Sequence, residues 1–272
     1  MSQLFNYKSL SISLNKEQKC CHVSLLNNNE NFDSPTLLNE LELFFDWLTN
    51  KVEISSVLIE TQSSDFKVLP KSLLNKLNID QLSKHLQLCQ RLSWVQVMLP
   101  QTIIWNYTGP TDYHAFELSS GADLITCNPS FTTSFNVLSM GLTPSSSGIS
   151  IQSKSTGPKI YKSYILRNKC ASAAELQSLG LISFINFGDE LKTALTEISK
   201  QSSIARIQFK RSSNNELIKD MDESMTAELS FARATLAVGD WQRWSSDREF
   251  GNPREYSKTI RNVPTRSQVA NA

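Results

Sequence analysis

Asp112, His114 and Glu117 lie together in one short stretch, and theirs are the residue types of acid–base chemistry. A histidine with a carboxylate partner titrates near neutrality, so Asp112 and His114 form a candidate acid/base pair. At this spacing on a turn the two need not face each other, and the competing reading of His114 is a structural or exposed histidine. Glu117 is either a general base or water-positioning group, or an ordinary glutamate on a helix. The five cysteines (Cys20, Cys21, Cys89, Cys127, Cys170) are scattered, with no Cys-x-x-Cys spacing. That argues against a metal site or a disulfide framework and fits a reducing compartment, with Cys20 and Cys21 read as packing residues. Trp241 and Trp244 stand among Arg243 and Arg248. They read as helix packing on a neighbour in preference to a basic-aromatic binding surface.

With 272 residues the chain is long enough for one large domain or two small ones. Lys and Arg total 27 against 26 Asp and Glu, a net charge of +1. Overall charge therefore gives no case for nucleic acid or an anionic membrane as partner. No apolar run approaches the roughly 20 residues that span a bilayer. The N-terminus lacks a basic segment followed by a long apolar run, so the expected location is cytoplasmic.

The elements that would position these residues alternate between strand and helix. Leu10–Leu14 and Cys21–Leu25 alternate apolar and polar positions around a polar break at Asn15–Lys19 and predict two strands. Ser34 reads as an N-cap with Pro35 at the first helical position, and Leu37, Leu41, Phe44, Phe45 and Leu48 recur at helical spacing. Val57–Thr61 predicts a buried strand, so strand, helix and strand make a βαβ crossover. A helix is expected near Asp80–Ser93, a strand at Gln101–Tyr107, a helix carrying Glu117, and a short strand at Leu124–Thr126. This rhythm argues for an α/β fold. Thr143–Gly148 reads as a turn-rich loop, Ser172–Ile182 as a short helix ended by Gly180, and residues 189–243 as mostly helical. The stretch from Ser245 to Ala272 is polar and aperiodic, either a tail or an arm laid on a neighbour.

Gly109-Pro110-Thr111-Asp112-Tyr113-His114-Ala115-Phe116-Glu117, Ala122-Asp123-Leu124-Ile125-Thr126, Phe135-Asn136-Val137 and Met140-Gly141-Leu142-Thr143-Pro144 follow one another in order. They resemble the active-site region of the crotonase (enoyl-CoA hydratase/isomerase) superfamily. Ser64-Asp65-Phe66 and Ser172–Ile182 resemble flanking segments of the same family. The similarity runs from about Ser9 to Leu236. It implies an α/β fold: a crotonase-like ββα spiral of stacked sheets over residues 1–188, a C-terminal helical trimerisation region over 189–244, and a tail or oligomer arm over 245–272. It also implies a homo-oligomer, trimer or hexamer, and a coenzyme A thioester as ligand, with no further cofactor and no metal.

The resemblance implies a site as well. Glu117 matches the family's first catalytic carboxylate, whereas the second falls on Val137, which cannot transfer a proton. The backbone N–H groups of Val68 and His114 match the two oxyanion donors, and Phe66, Leu69 and Val137 would line the acyl site. The chain departs from the family at Leu69-Pro70-Lys71 and at Tyr113-His114-Ala115, where side chains replace a glycine-rich run. The expectation is a divergent crotonase-fold protein without standard hydratase activity, acting by ligand binding or assembly. The alternative is an acyl-CoA lyase, isomerase or hydrolase using Glu117 as its sole carboxylate. Asp123 is expected to cap or pair locally.

Overall fold

A computed structural model describes residues 7–26, 34–61 and 65–246. Ser64 and nearly all of the expected tail or arm lie outside the described residues.

Two strands open the fold where alternation predicts them, β1 (Leu10–Asn15) and β2 (Cys20–Leu25), and they pair antiparallel. Helix α1 (Ser34–Leu48) buries Leu37, Leu41, Phe44, Phe45 and Leu48, the predicted apolar stripe. Ser34, read as its cap, instead donates its hydroxyl to the Val68 carbonyl at 2.6 Å. Strand β3 (Ser56–Thr61) then lies parallel to β2, completing the crossover. A single turn, α2 (Lys71–Leu74), precedes α3 (Ile79–Met98). Helix α3 starts from a reciprocal Asn78–Gln81 capping box and outruns its predicted end by about a turn. It stops at Leu99, whose extended backbone is what a following Pro100 imposes.

Strand β4 (Thr102–Tyr107) pairs with β3, and β6 (Leu124–Cys127) pairs with β4. Between them come β5 (Thr111–Asp112) and the helix bearing Glu117, α4 (Tyr113–Leu118). Strand β7 (Thr132–Ser134) follows, then α5 (Ser153–Thr156) and α6 (Pro158–Leu166). The sequence reading gave no helix for α5 or α6. Strand β8 (Cys170–Ser172) leads into α7 (Ala173–Ser178), and β9 (Phe184–Ile185) closes the core. The first residues of the predicted Ser172–Ile182 helix are therefore a strand end and cap, and the helix stops before Gly180, which takes a left-handed φ of 73°. The Ser172 hydroxyl and Glu175 cap each other reciprocally. Ser172→Ala is expected to lower stability by about 1 kcal/mol, read as a small drop in thermal midpoint.

The larger sheet has six strands in the order β1-β2-β3-β4-β6-β9, parallel except for the β1–β2 pair, and β5-β7-β8 form a second, three-stranded sheet. Side-chain alternation divides the larger sheet between two layers. Val57, Ile59, Ile103 and Trp105 join the main core under α1 and α3. Cys20, Leu58 and Ile104 face the other way, onto Leu191, Leu195 and Ile198 of α8 (Glu190–Lys200). Covered on both faces, β3 reads as the continuous apolar run that buried parallel strands show. The C-terminal helices are α8, the 36-residue α9 (Ser203–Val238) and α10 (Asp240–Ser245). Trp241 is buried in this chain's own main core and Trp244 packs against it. Among the described residues no helix is long and apolar enough to cross a membrane.

Candidate functional site

Helix α4 has every residue buried, because it is packed between α3 and the loop that follows Gly141. Asp112 caps it, accepting from the Ala115 N–H at 2.8 Å. The same carboxylate accepts from the Val68 N–H at 3.3 Å and the Leu69 N–H at 3.0 Å. The two expected oxyanion loops are further stitched together at Phe66. Its N–H donates to the Pro110 carbonyl at 3.1 Å, and its own carbonyl accepts from the Thr111 hydroxyl at 2.6 Å and the Asp112 N–H at 3.3 Å. Burial raises the Asp112 carboxyl, against the nearby His114 and the three N–H groups that favour its charged form.

Glu117 is 0% exposed. Its Oε1 accepts from the backbone N–H groups of Ser145 and Gly148, each at 3.0 Å. Its Oε2 has no hydrogen-bond partner and lies 3.6 Å from Nδ1 of His114. Neither ring nitrogen of His114 has a hydrogen-bond partner. His114 thus faces Glu117, while Asp112 holds backbone. The residues read as lining the acyl site, Phe66, Leu69 and Val137, are all buried, and Val137 leads into the 3₁₀ turn Leu138–Met140.

A second carboxylate does converge here, from a place the sequence did not indicate. Glu228, in the C-terminal half of α9 and 3% exposed, accepts from the Ser147 N–H at 3.0 Å, the Ser150 N–H at 2.6 Å and the Ser150 hydroxyl. Burial and the charge of Glu117 push its carboxyl up to about 7, partly offset by the Ser150 and Ser147 donors. The Ser145–Ser150 loop, whose last residues enter a π-helical turn (Gly148–Gln152), therefore sits between two carboxylates, with the Ser145 and Gly148 N–H groups on Glu117 and those of Ser147 and Ser150 on Glu228. The hydroxyls of Tyr113 and Tyr161 hydrogen-bond to each other beside this loop, and burial together with the Glu117 charge raises both. Gly148 makes the closure possible. A Cβ there would lie 2.3 Å from the Tyr113 hydroxyl, 2.5 Å from Glu117 Oε1 and 2.7 Å from the Tyr161 hydroxyl.

Asp123, expected to cap or pair locally, instead takes partners distant in sequence: Lys210 at 2.6 Å, 87 positions away, and the Ile103 N–H at 2.7 Å. All five cysteines are free; Cys20 and Cys21 are buried on opposite faces of the large sheet. Among the described residues no group of His, Cys, Asp or Glu is arranged to hold a metal ion.

Glu228 and Tyr161 carried no usable sequence signal. Glu228 is one acid among several along a helix with little amphipathic character, and only the approach of the serine loop sets it apart. The run Ser145-Ser146-Ser147-Gly148 was visible, but as a turn.

No protein-family model matches the chain, and no curated protein matches its sequence. Solved structures do. An enoyl-CoA hydratase from Bacillus halodurans superposes with a TM-score of 0.79 at 13% identity, covering 88% of this chain and 100% of that one. A putative enoyl-CoA hydratase from Streptomyces avermitilis gives 0.77 at 17% identity, over 98% and 100% of the two chains. An enoyl-CoA hydratase from Mycobacterium avium gives 0.78 at 12%, over 90% and 98%. At such identities the likeness speaks for the fold alone. The α/β architecture of this chain is the crotonase fold, as the residues between Gly109 and Gly141 implied.

Proposed function

We propose that this crotonase-fold protein lacks standard enoyl-CoA hydratase activity and acts through ligand binding or assembly, as a homo-oligomer in the cytoplasm. The observation that carries the reading is the closed state of the expected site. A general base must reach the proton it removes, and Glu117 is held by the Ser145 and Gly148 N–H groups with no exposed surface. An oxyanion hole needs donors aimed at the developing charge, and the Val68 N–H is directed at Asp112. Val137 supplies no second carboxylate on its side of the site, and Glu228 is bound to the serine loop.

Crotonyl-CoA hydration, followed by loss of the conjugated thioester absorbance, is expected to stay at the background rate. Turnover that disappears in Glu117→Ala would overturn the proposal. Sedimentation of the intact chain tests the trimer or hexamer.

The close approach of His114 Nδ1 to Glu117 Oε2 favours a second reading, an acyl-CoA enzyme using Glu117 alone with the Val68 and His114 N–H groups as oxyanion donors. It requires the Asp112 contacts to open when a thioester binds. Calorimetry with a coenzyme A thioester tests it: this reading requires saturable heat together with turnover lost in Glu117→Ala, and no heat with no thermal shift at millimolar ligand removes it.

A further inference from the structure

Between Leu124 and Ala174 the chain has no Asp or Glu, and its charged residues are Lys154, Lys159, Lys162, Arg167 and Lys169. A total charge of +1 therefore conceals a local excess of positive charge. The two outer lysines have partners: Lys154 meets Asp220 at 3.3 Å and Lys169 meets Glu175 at 2.8 Å. Lys159, Lys162 and Arg167 are exposed, and none of the three enters an ion pair among the described residues. All three belong to α6 or its C-cap.

Helix α6 is held to the body along one side. It buries Tyr161 and Ile165, four positions apart, and the Tyr161 hydroxyl meets that of Tyr113. Tyr164 packs edge-on against Phe135, with ring centroids 5.3 Å apart. These contacts fix the rotation of the helix. At helical spacing Lys159, Lys162 and Leu166 then share the outer side as i, i+3 and i+7, flanked by Ile160 and Arg167. Leu166 is 71% exposed and Ile160 44%. Three cations and two aliphatic side chains thus stand together on one convex face.

That combination distinguishes among anionic partners. A nucleic acid would use the cations, but the two aromatic rings of α6 are engaged with Tyr113 and Phe135 and offer bases nothing to stack on. An acidic peptide would pair with the cations and leave Leu166 and Ile160 in water. An anionic lipid surface uses both, its headgroups meeting the cations while the aliphatic side chains enter the acyl boundary. A convex face also suits a broad surface, whereas an extended peptide docks in a groove or along a sheet edge.

We propose that the outer face of α6 docks reversibly on a membrane surface bearing anionic lipids, with Lys159, Lys162 and Arg167 at the headgroups and Leu166 and Ile160 at the acyl boundary. Each cation near an anionic leaflet strengthens partitioning roughly fivefold, so three contribute about a hundredfold. Burying the exposed Leu166 side chain adds roughly tenfold. The surface is the same whether or not Glu117 is catalytic.

Vesicle co-sedimentation of the full chain tests it. The protein is expected to pellet with vesicles of about 30 mol% phosphatidylserine in phosphatidylcholine, to stay in solution with phosphatidylcholine alone, and to be released by about 0.5 M NaCl. Lys159→Gln/Lys162→Gln/Arg167→Gln should weaken partitioning by about a hundredfold and Leu166→Ser by about tenfold. All four side chains are exposed, so the thermal midpoint should not move. Lys192→Gln/Lys200→Gln/Arg211→Gln removes the same charge from exposed positions elsewhere and should change partitioning by less than about threefold. No pelleting with phosphatidylserine, equal binding to both vesicles, or an equal loss in the two triple variants overturns the surface. Retention on polyglutamate that is insensitive to Leu166→Ser, without vesicle binding, overturns it in favour of an acidic peptide.

Discussion

Gly148→Ala is expected to destabilise the fold by about 4 kcal/mol, measured as a lowered urea midpoint at unchanged slope. The added methyl would stand 2.5 Å from Glu117 Oε1 and between two tyrosine hydroxyls at 2.3 and 2.7 Å. Real carbon–oxygen contacts do not approach so closely, so the loop must retreat. Retreat breaks the Ser145 and Gly148 N–H bonds to Glu117 and leaves a carboxylate with no protein donor in a closed interior. Overpacking alone costs roughly 1–3 kcal/mol, and each buried polar group stripped of its partner adds about 1–3 kcal/mol. The hydroxyl-to-hydroxyl bond of Tyr113 and Tyr161 would be strained as well. A loss under about 1 kcal/mol would mean that the serine loop does not seal Glu117.

Glu228 makes stability depend on pH in an unusual direction for a carboxylate. Its folded-state pKa is raised from 4.5 to about 7 by burial first and by the Glu117 charge second. The native state therefore binds the proton more tightly than the unfolded chain. The resulting stability is full below about pH 4.5 and is lost as pH rises through about 7. The shift corresponds to about 3 kcal/mol over that window. His85 acts oppositely: burial first and the His114 charge second lower it to about 4, so its contribution is lost as pH falls below about 6.5. The two effects overlap, and the wild-type profile alone will not separate them. Comparison with Glu228→Gln does. The stability advantage of wild type over the variant should shrink by about 3 kcal/mol between pH 4.5 and 7 and then stay constant. The amide adds a pH-independent penalty, since its NH₂ meets a backbone N–H of the serine loop. A difference that is flat across the window, or that grows with pH, would show that Glu228 is charged throughout.

The core was legible from periodicity because single elements determine it. Alternation at Leu10–Leu14 and the stripe Leu37, Leu41, Phe44, Phe45, Leu48 each fix one face against one layer. Helix ends were less legible: α3 runs past Ser93 because Gln96 and Val97 continue its buried face until Pro100 intervenes. Helix α6 was missed because it follows the Gly157-Pro158 break and buries only Tyr161 and Ile165. The site divides in the same way. Glu117 could be named from its neighbours in sequence, and the obstruction at Tyr113-His114-Ala115 could be anticipated from the missing glycines. Glu228 and the division of the serine-loop N–H groups could not, since they arise from residues 78 and 81 positions apart. Long-range polar contacts of that kind leave no local period to read.

The carboxylate of Asp112 behaves as a permanently tethered competitor at the Val68 and Leu69 N–H groups. A tethered group acts at a millimolar or higher effective concentration and cannot be diluted away. Any thioester carbonyl seeking those donors must win them from an anion, which is the stronger acceptor. It must also carry the helix cap with it, because the same carboxylate holds the first turn of α4 at Ala115. Freeing the Val68 N–H and fraying the Glu117 helix are therefore one event.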